Sequence, residues 1–152
     1  MATITRRTIS ILFCLLLTPP GVSGFALVTE EEARVYSNNR DPSFTPKSAQ
    51  VKTGVSINVV APPNLADPVL SPLDIELTFR TDGALIDLSS FSAYYGSFRL
   101  DITERILKRA ILTQSGLKIK NVQIPKGKHK LLLIISDLRG RSSQREIYLE
   151  VD

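Results

Sequence analysis

An alternation of apolar and polar residues between positions 73 and 80 is the clearest pattern in the chain. Its apolar members are Leu73, Ile75, Leu77 and Phe79, and its polar members are Asp74, Glu76, Thr78 and Arg80. Successive side chains of a β-strand point to opposite faces of the sheet, so this pattern predicts a strand that buries one face. Thr81-Asp82-Gly83 has the composition of a turn, and a second strand is predicted from Leu85 to Tyr95.

Further strands are predicted on both sides of this pair. Their ranges are 51–60, 98–100, 117–120, 130–136 and 146–151. Turn sequences separate the later ones, at Ile124-Pro125-Lys126-Gly127 and at Asp137-Leu138-Arg139-Gly140. Six prolines lie between Pro42 and Pro72. Because proline has no amide donor, we expect this stretch to hold loops and an edge strand.

Two short helices are predicted among these strands. Thr29 and Glu32 have the spacing of a capping box, in which each side chain bonds to the other residue's amide, and the box predicts a helix from about Glu30 to Tyr36. Asp101 is a candidate N-cap for a second helix over 102–109. Short strands separated by turns about every ten residues favour an antiparallel sandwich or barrel.

The first 24 residues have the features of a secretory signal peptide. Arg6 and Arg7 supply positive charge, Ile9 to Leu17 is an apolar run, and Val22-Ser23-Gly24 offers small residues for cleavage. A spanning helix needs about 20 apolar residues, so we expect no transmembrane anchor. The Arg6-Arg7 pair leaves the twin-arginine and the general export routes both open.

We therefore expect an exported protein, either periplasmic or extracellular, in three parts. These are a signal peptide over 1–24, an N-terminal segment over 25–50 with a short helix and a loop, and a β-domain over 51–152. Cleavage would remove the only Cys and the only Met, so the mature chain could form no disulfide and would depend on its core for stability.

The charge of the predicted mature chain is uneven. Residues 25–100 carry nine acidic and six basic side chains, a net charge of −3, whereas residues 101–152 carry six acidic and eleven basic ones, a net charge of +5. This asymmetry predicts one basic face rather than a basic protein overall.

Three C-terminal segments follow an order that is found in known modules. They are Ile124-Pro125-Lys126-Gly127-Lys128-His129, Asp137-Leu138-Arg139-Gly140-Arg141 and Ile147-Tyr148-Leu149-Glu150-Val151. This order resembles bacterial immunoglobulin-like and fibronectin-III-like modules, although Ile124 and Arg141 stand where those modules have Leu and Asn. The resemblance implies an all-β fold, an antiparallel immunoglobulin-like β-sandwich with one or two short helices, and it implies no catalytic residue.

A second resemblance bears on metal binding. Pro72, Ile75, Leu77 and Phe79, with the later Pro-x-Gly turn, are similar to periplasmic copper-resistance carriers. Those carriers bind copper through several histidines and often methionine, whereas His129 is the only histidine here and the only methionine lies in the predicted signal peptide. We expect no copper, no other metal site and no cofactor.

His129 is also the only imidazole that could serve as a general base. If residues 129–136 form one strand, Ser136 lies about 23 Å from His129, too far for a catalytic pair. We expect His129 to be a buried corner residue bonded to a nearby carbonyl. We expect no catalytic residue and no enzymatic activity.

Basic residues form the first candidate binding surface. They are Lys118, Lys120, Lys126, Lys128, Lys130, Arg139 and Arg141. A surface of this charge would suit an anionic envelope polymer, a lipid headgroup or an acidic envelope protein. Nucleic acid is not expected, because no aromatic residues are interleaved with the basic ones. The alternative is a solvated strand edge whose charges prevent aggregation.

Aromatic and apolar residues form the second candidate surface, which consists of Tyr94, Arg99, Leu132 and Ile134. If Leu131, Leu133 and Ile135 face the core, Leu132 and Ile134 face outward and need cover from the chain itself or from a partner.

The sequence favours a non-enzymatic binding or assembly module of the bacterial cell envelope, with its partner and oligomeric state open. The alternative is a small-ligand carrier or an accessory subunit of an envelope enzyme. A pocket lined by Tyr94, Arg99 and nearby basic residues would favour the carrier, whereas a flat basic or apolar patch would favour the assembly module.

Overall fold

The structure, a computed structural model, describes residues 24–38, 50–51 and 54–152. More than half of these residues lie in strands, in the order β1 (Phe25–Ala26), β2 (Gln50–Val51), β3 (Val55–Ala61), β4 (Leu73–Thr81), β5 (Ile86–Tyr95), β6 (Leu100–Asp101), β7 (Ile111–Thr113), β8 (Gly116–Gln123), β9 (Gly127–Asp137) and β10 (Ser142–Val151). The two helices are α1 (Glu30–Asn38) and α2 (Thr103–Leu107). The predicted signal peptide lies outside the described residues, apart from Gly24.

The strands form two five-stranded sheets. In the first sheet the order is β1-β8-β4-β3, with β7 also paired to β8, and in the second it is β2-β10-β9-β5-β6. Neighbouring strands are antiparallel except β1, which runs parallel to β8 and departs from the all-antiparallel prediction. The predicted mainly β fold with two short helices is confirmed. The edge position predicted for the proline-rich region is also confirmed, because among the described strands β3 pairs only with β4.

Buried side chains from both sheets belong to one hydrophobic cluster. Leu77 and Phe79 enter it from β4, and Leu131, Leu133 and Ile135 enter it from β9, as the alternating patterns predict. Leu27 and Val28 are 0% and 2% exposed and belong to the same cluster. The short segment after β1 is therefore anchored in the core that the two sheets share.

Strands β8, β9 and β10 extend beyond their predicted ranges, and β1 and β7 were not predicted. Three other predicted elements are divided, replaced or shortened. The predicted strand at 51–60 is divided between β2 and β3, which lie in different sheets. Residues 98–99 form a turn rather than a strand, because Arg99 has a φ of 54°, outside the range of strand backbone. Helix α2 is shorter than predicted and its N-cap is Ile102. The Asp101 carboxylate instead accepts the Thr103 amide at 2.8 Å, just ahead of the helix.

Side chains of β10 join the two sheets where β3 has its free edge. The Ser143 hydroxyl accepts the Val55 amide at 3.0 Å, and the Arg145 guanidinium donates to the Ile57 carbonyl. These bonds satisfy two backbone groups of β3 that do not face β4, so part of the free edge is closed to pairing with another chain.

Candidate functional site

Helix α1 is held in place at one end of the two sheets. The Thr29 amide donates to the Glu32 carboxylate at 2.8 Å, and the Glu32 amide donates to the Thr29 hydroxyl at 3.2 Å, which confirms the predicted capping box. Arg105 of α2 donates to both carboxylate oxygens of Glu32, at 2.9 and 3.0 Å, and to the Leu27 carbonyl at 2.9 Å. The Arg105 side chain thereby lowers the pKa of Glu32 and ties the two helices together.

An apolar groove lies between α1 and the turn that joins β5 to β6. Its volume is about 320 Å³, and we call it the apical groove; it is lined by Glu31, Glu32, Val35, Tyr95, Gly96, Phe98 and Leu100. Val35 is 55% exposed, Phe98 70% and Leu100 39%. Grouped apolar side chains that remain open to solvent are typical of interaction sites. Both charged residues of the lining, Glu31 and Glu32, are acidic.

Tyr95, a buried residue in the lining of the apical groove, is hydrogen-bonded to His129. The Tyr95 hydroxyl lies 2.9 Å from His129 Nδ1, and His129 Nε2 lies 2.8 Å from the Pro125 carbonyl oxygen. A carbonyl only accepts, so we assign the proton to Nε2, and Nδ1 then accepts from Tyr95. Burial lowers the pKa of His129, although the bond to Pro125 opposes this shift. The predicted corner histidine bonded to a nearby carbonyl is confirmed.

Several residues of the predicted basic surface are paired with carboxylates. Lys118 lies 2.7 Å from Glu76, Lys130 lies 3.1 Å from Glu146, and Lys128 lies 3.9 Å from Glu150. Arg141 donates to Asp137 at 2.8 Å and forms a second ion pair with Asp82. No ion pair involves Lys120, Lys126 or Arg139 within the described part of the chain.

These basic residues also lie on different parts of the molecule. Lys118 and Lys120 are on β8 of the first sheet, whereas Lys128 and Lys130 are on β9 of the second. Lys126 precedes β9 and Arg139 follows it, and a strand of 11 residues is about 37 Å long. The fold therefore does not bring the seven residues together on one surface, and binding of an anionic polymer there stays a prediction.

The predicted aromatic and apolar residues are likewise dispersed. Leu132 lies between Tyr94 and Glu146 on the neighbouring strands and is only 5% exposed, so the cover that it was expected to need comes from the chain itself. Tyr94 and Ile134 are half-buried, and Arg99 is exposed on the β5–β6 turn. The apical groove is lined by Tyr95, Phe98 and Leu100 rather than by Tyr94 and Arg99.

Residues 24–38, 50–51 and 54–152 lack two further features. This part of the chain holds no group of three or more His, Cys, Asp or Glu side chains that could bind a metal ion. It also holds no helix with the length and apolar content required to cross a bilayer. Comparison of the sequence and structure with protein-family models, curated proteins and solved structures finds no match.

Val35, Phe98 and Leu100 were not selected from the sequence as candidate site residues. The sequence held one signal for Phe98: it follows Gly96-Ser97, a pair that is typical of a turn rather than of a buried strand. An apolar residue in a turn has no obligatory place in the core. Val35 carried no such signal, because its position beside Phe98 depends on how α1 packs.

Proposed function

We propose that this protein is an exported, non-enzymatic binding or assembly module of the bacterial cell envelope that holds a partner polypeptide in the apical groove. The supporting observation is the exposure of Val35, Phe98 and Leu100 around one depression of about 320 Å³. Exposed apolar side chains that converge on a groove gain free energy when a partner removes them from water.

The walls of the apical groove are positioned before any partner arrives. The Arg105–Glu32 pair and the capping box hold α1, while the Gly96 amide donates to the Lys130 carbonyl at 2.9 Å and holds the opposite wall. A site with fixed walls loses little conformational entropy on binding. This favours recognition by shape and apolar contact over induced folding of the groove.

We also propose that the fold is an antiparallel immunoglobulin-like β-sandwich, with β1 as a parallel addition at one edge. Support comes from the two sheets that share one core and from the turns before and after β9, where the resemblance to immunoglobulin-like modules lies. Export is proposed from the features of residues 1–24. A small-ligand carrier was predicted to use Tyr94 and Arg99, and neither residue lines the apical groove.

The proposal is tested by capture of the tagged full chain from a bacterial envelope extract, followed by mass spectrometry. Phe98→Asp places a charge in the apical groove, and Ile111→Asp is the matched control because Ile111 is 69% exposed on β7. We expect Phe98→Asp to reduce recovery of the captured protein by about ten-fold or more, whereas Ile111→Asp leaves recovery unchanged. Equal recovery with both variants, or a bound small molecule and no captured protein, would overturn the proposal.

A further inference from the structure

We propose that Asp82 and Gly83 form a site of spontaneous covalent modification, at which the aspartate isomerises to isoaspartate, and that the Arg141 side chain restrains this reaction. The site lies in the loop between β4 and β5 and is independent of the binding role proposed for the apical groove. Water is the one co-reactant that the modification requires.

Asp82 and Gly83 are the one Asp-Gly or Asn-Gly pair in the sequence. In such a pair the amide nitrogen of the second residue can attack the side-chain carboxyl carbon of the first, and a glycine hinders that approach least. Asp82 and Gly83 are both exposed, and a Cβ at Gly83 would have no atom within 4 Å. The Gly83 amide makes no hydrogen bond to another residue in the described part of the chain. The attacking nitrogen is therefore accessible and unbonded.

The isomerisation rearranges bonds and needs no oxidant or reductant. The Gly83 nitrogen forms a bond to Cγ of Asp82, and the carboxyl hydroxyl leaves as water with the amide proton, which closes a succinimide ring. A water molecule then adds to the former main-chain carbonyl carbon of Asp82 and breaks its bond to the Gly83 nitrogen. The chain afterwards runs through Cβ and Cγ of the aspartate, the original carbonyl carbon becomes the free carboxylate, and the mass is unchanged.

Arg141 holds the Asp82 carboxylate in a geometry that opposes this attack. Its Nη1 donates to one carboxylate oxygen at 2.8 Å and its Nη2 donates to the other, so both oxygens are engaged. Arg141 is itself held, because its Nε donates to the buried Asp137 carboxylate at 2.8 Å. Movement of the Asp82 carboxyl group onto the Gly83 nitrogen must break both bonds of this bidentate pair.

The charge of Arg141 opposes the reaction as well. The protonated carboxyl group can lose its hydroxyl as water, whereas an ionised carboxylate is a poor target for the nitrogen. Hydrogen bonding to Arg141 lowers the pKa of Asp82 from its ordinary 3.8 to about 2, which reduces the protonated fraction about sixty-fold at neutral pH. The Asp82 side chain is 65% exposed and salt screens such a pair, so we expect a protection of about ten-fold.

Isomerisation would undo the bridge that Arg141 forms between two loops. Arg141 lies in the turn between β9 and β10, whereas Asp82 lies between β4 and β5. In isoaspartate the carboxylate is attached directly to Cα and the main chain is one carbon longer, so the bidentate pair cannot keep its geometry. The modified chain should therefore unfold at a lower urea concentration than the unmodified one.

The proposal is tested by ageing the purified full chain at pH 6 and measuring isoaspartate at Asp82 by peptide mapping. Arg141→Gln should raise the rate of isomerisation about ten-fold. Arg139→Gln is the matched control, because it removes the same charge from the same turn, yet Arg139 acts on Asp82 through its charge alone and as the weakest influence on its pKa. The control should change the rate far less. Equal rates in Arg141→Gln and the wild type would overturn the proposal.

Salt separates the charge of Arg141 from a simple loosening of the loop. Screening should raise the wild-type rate toward that of Arg141→Gln and leave the rate of the variant unchanged. A faster variant beside a wild-type rate that ignores salt would overturn the role given to the ion pair.

The wild-type chain keeps the test decisive if Arg141→Gln does not fold. Concentrated urea removes the Arg141–Asp82 pair, so the wild-type rate in urea should exceed the rate in native buffer by about ten-fold or more. Equal rates in urea and in native buffer would show that the fold does not restrain Asp82, and no isoaspartate in urea would show that Asp82 and Gly83 are not a site of isomerisation.

Discussion

Acidification through the ordinary pKa of histidine should destabilise this protein by way of His129. The ring is 2% exposed, donates from Nε2 to the Pro125 carbonyl and accepts at Nδ1 from the Tyr95 hydroxyl. This arrangement uses the neutral ring. A proton added at Nδ1 would replace the acceptor with a donor and would place a charge where burial penalises it.

The direction of the effect follows from the lowered pKa of His129 in the folded state. Below its ordinary value of about 6.5, the unfolded chain binds a proton that the folded chain does not. The contribution of His129 to the free energy of unfolding is therefore constant well above pH 6.5 and falls as the pH drops through that value, by up to about 1.4 kcal/mol for each pH unit, until the folded pKa is reached. Carboxylates such as Glu32, whose folded pKa is also lowered, change stability only at a lower pH.

The assay is urea denaturation followed by circular dichroism at intervals between pH 7.5 and 5.5. The chain has a single histidine, so its proton resonance reports the folded pKa without ambiguity. His129→Gln should remove the pH dependence in this range. Tyr95→Phe should cost about 1–3 kcal/mol at pH 7.5, because Nδ1 is left buried without its donor. A free energy of unfolding that rises on acidification, or an unchanged slope in His129→Gln, would refute the reasoning.

Two further substitutions test the packing of the sheets and the support of the groove. Gly116→Ala would place a Cβ 2.0 Å from the Leu77 carbonyl oxygen, so we expect the free energy of unfolding in urea to fall by roughly 3 kcal/mol. Gly83→Ala is the control, and it should lose only about 1–2 kcal/mol because nothing but the φ of 83° opposes a side chain there. Equal losses in the two variants would contradict this account. Glu32→Gln should lower the free energy of unfolding by about 1 kcal/mol at pH 7 and speed amide exchange in α1, because it removes the charge that pairs with Arg105. This difference from the wild type should vanish as the pH falls from about 4.5 through the lowered folded pKa of Glu32.

The sequence predicts best those features that depend on neighbours in the chain. The capping box of α1 needs only Thr29 and Glu32, so it was recognisable from spacing. The corner histidine was expected by analogy with the tyrosine corner, and the carbonyl that it bonds lies only four residues away. The alternating residues of β4 and β9 likewise identify which side chains enter the core. Each of these predictions rests on interactions that are repeated wherever the same local pattern occurs.

Predictions that grouped distant surface residues were less successful. Lys120, Lys126 and Arg139 share charge and exposure, but three different elements carry them to different places. Leu132 follows the alternation of an outward residue, yet its neighbours Tyr94 and Glu146 lie on other strands, and it is buried. The division of residues 51–60 between two sheets also has no marker in the alternation of Val55, Ile57 and Val59.

The sequence by itself thus determined the β-rich class, the positions of the main turns and the cap of α1, because these follow from side-chain periodicity and local hydrogen bonding. The tertiary structure decided where the surfaces lie. Val35 and Phe98 meet because α1 packs beside the β5–β6 turn, where Arg105 helps to hold it, and Leu85 and Leu138 meet because the two loops that carry them are bonded at the far end. Contacts between segments far apart in the chain depend on the packing of the whole core, and no local pattern specifies them.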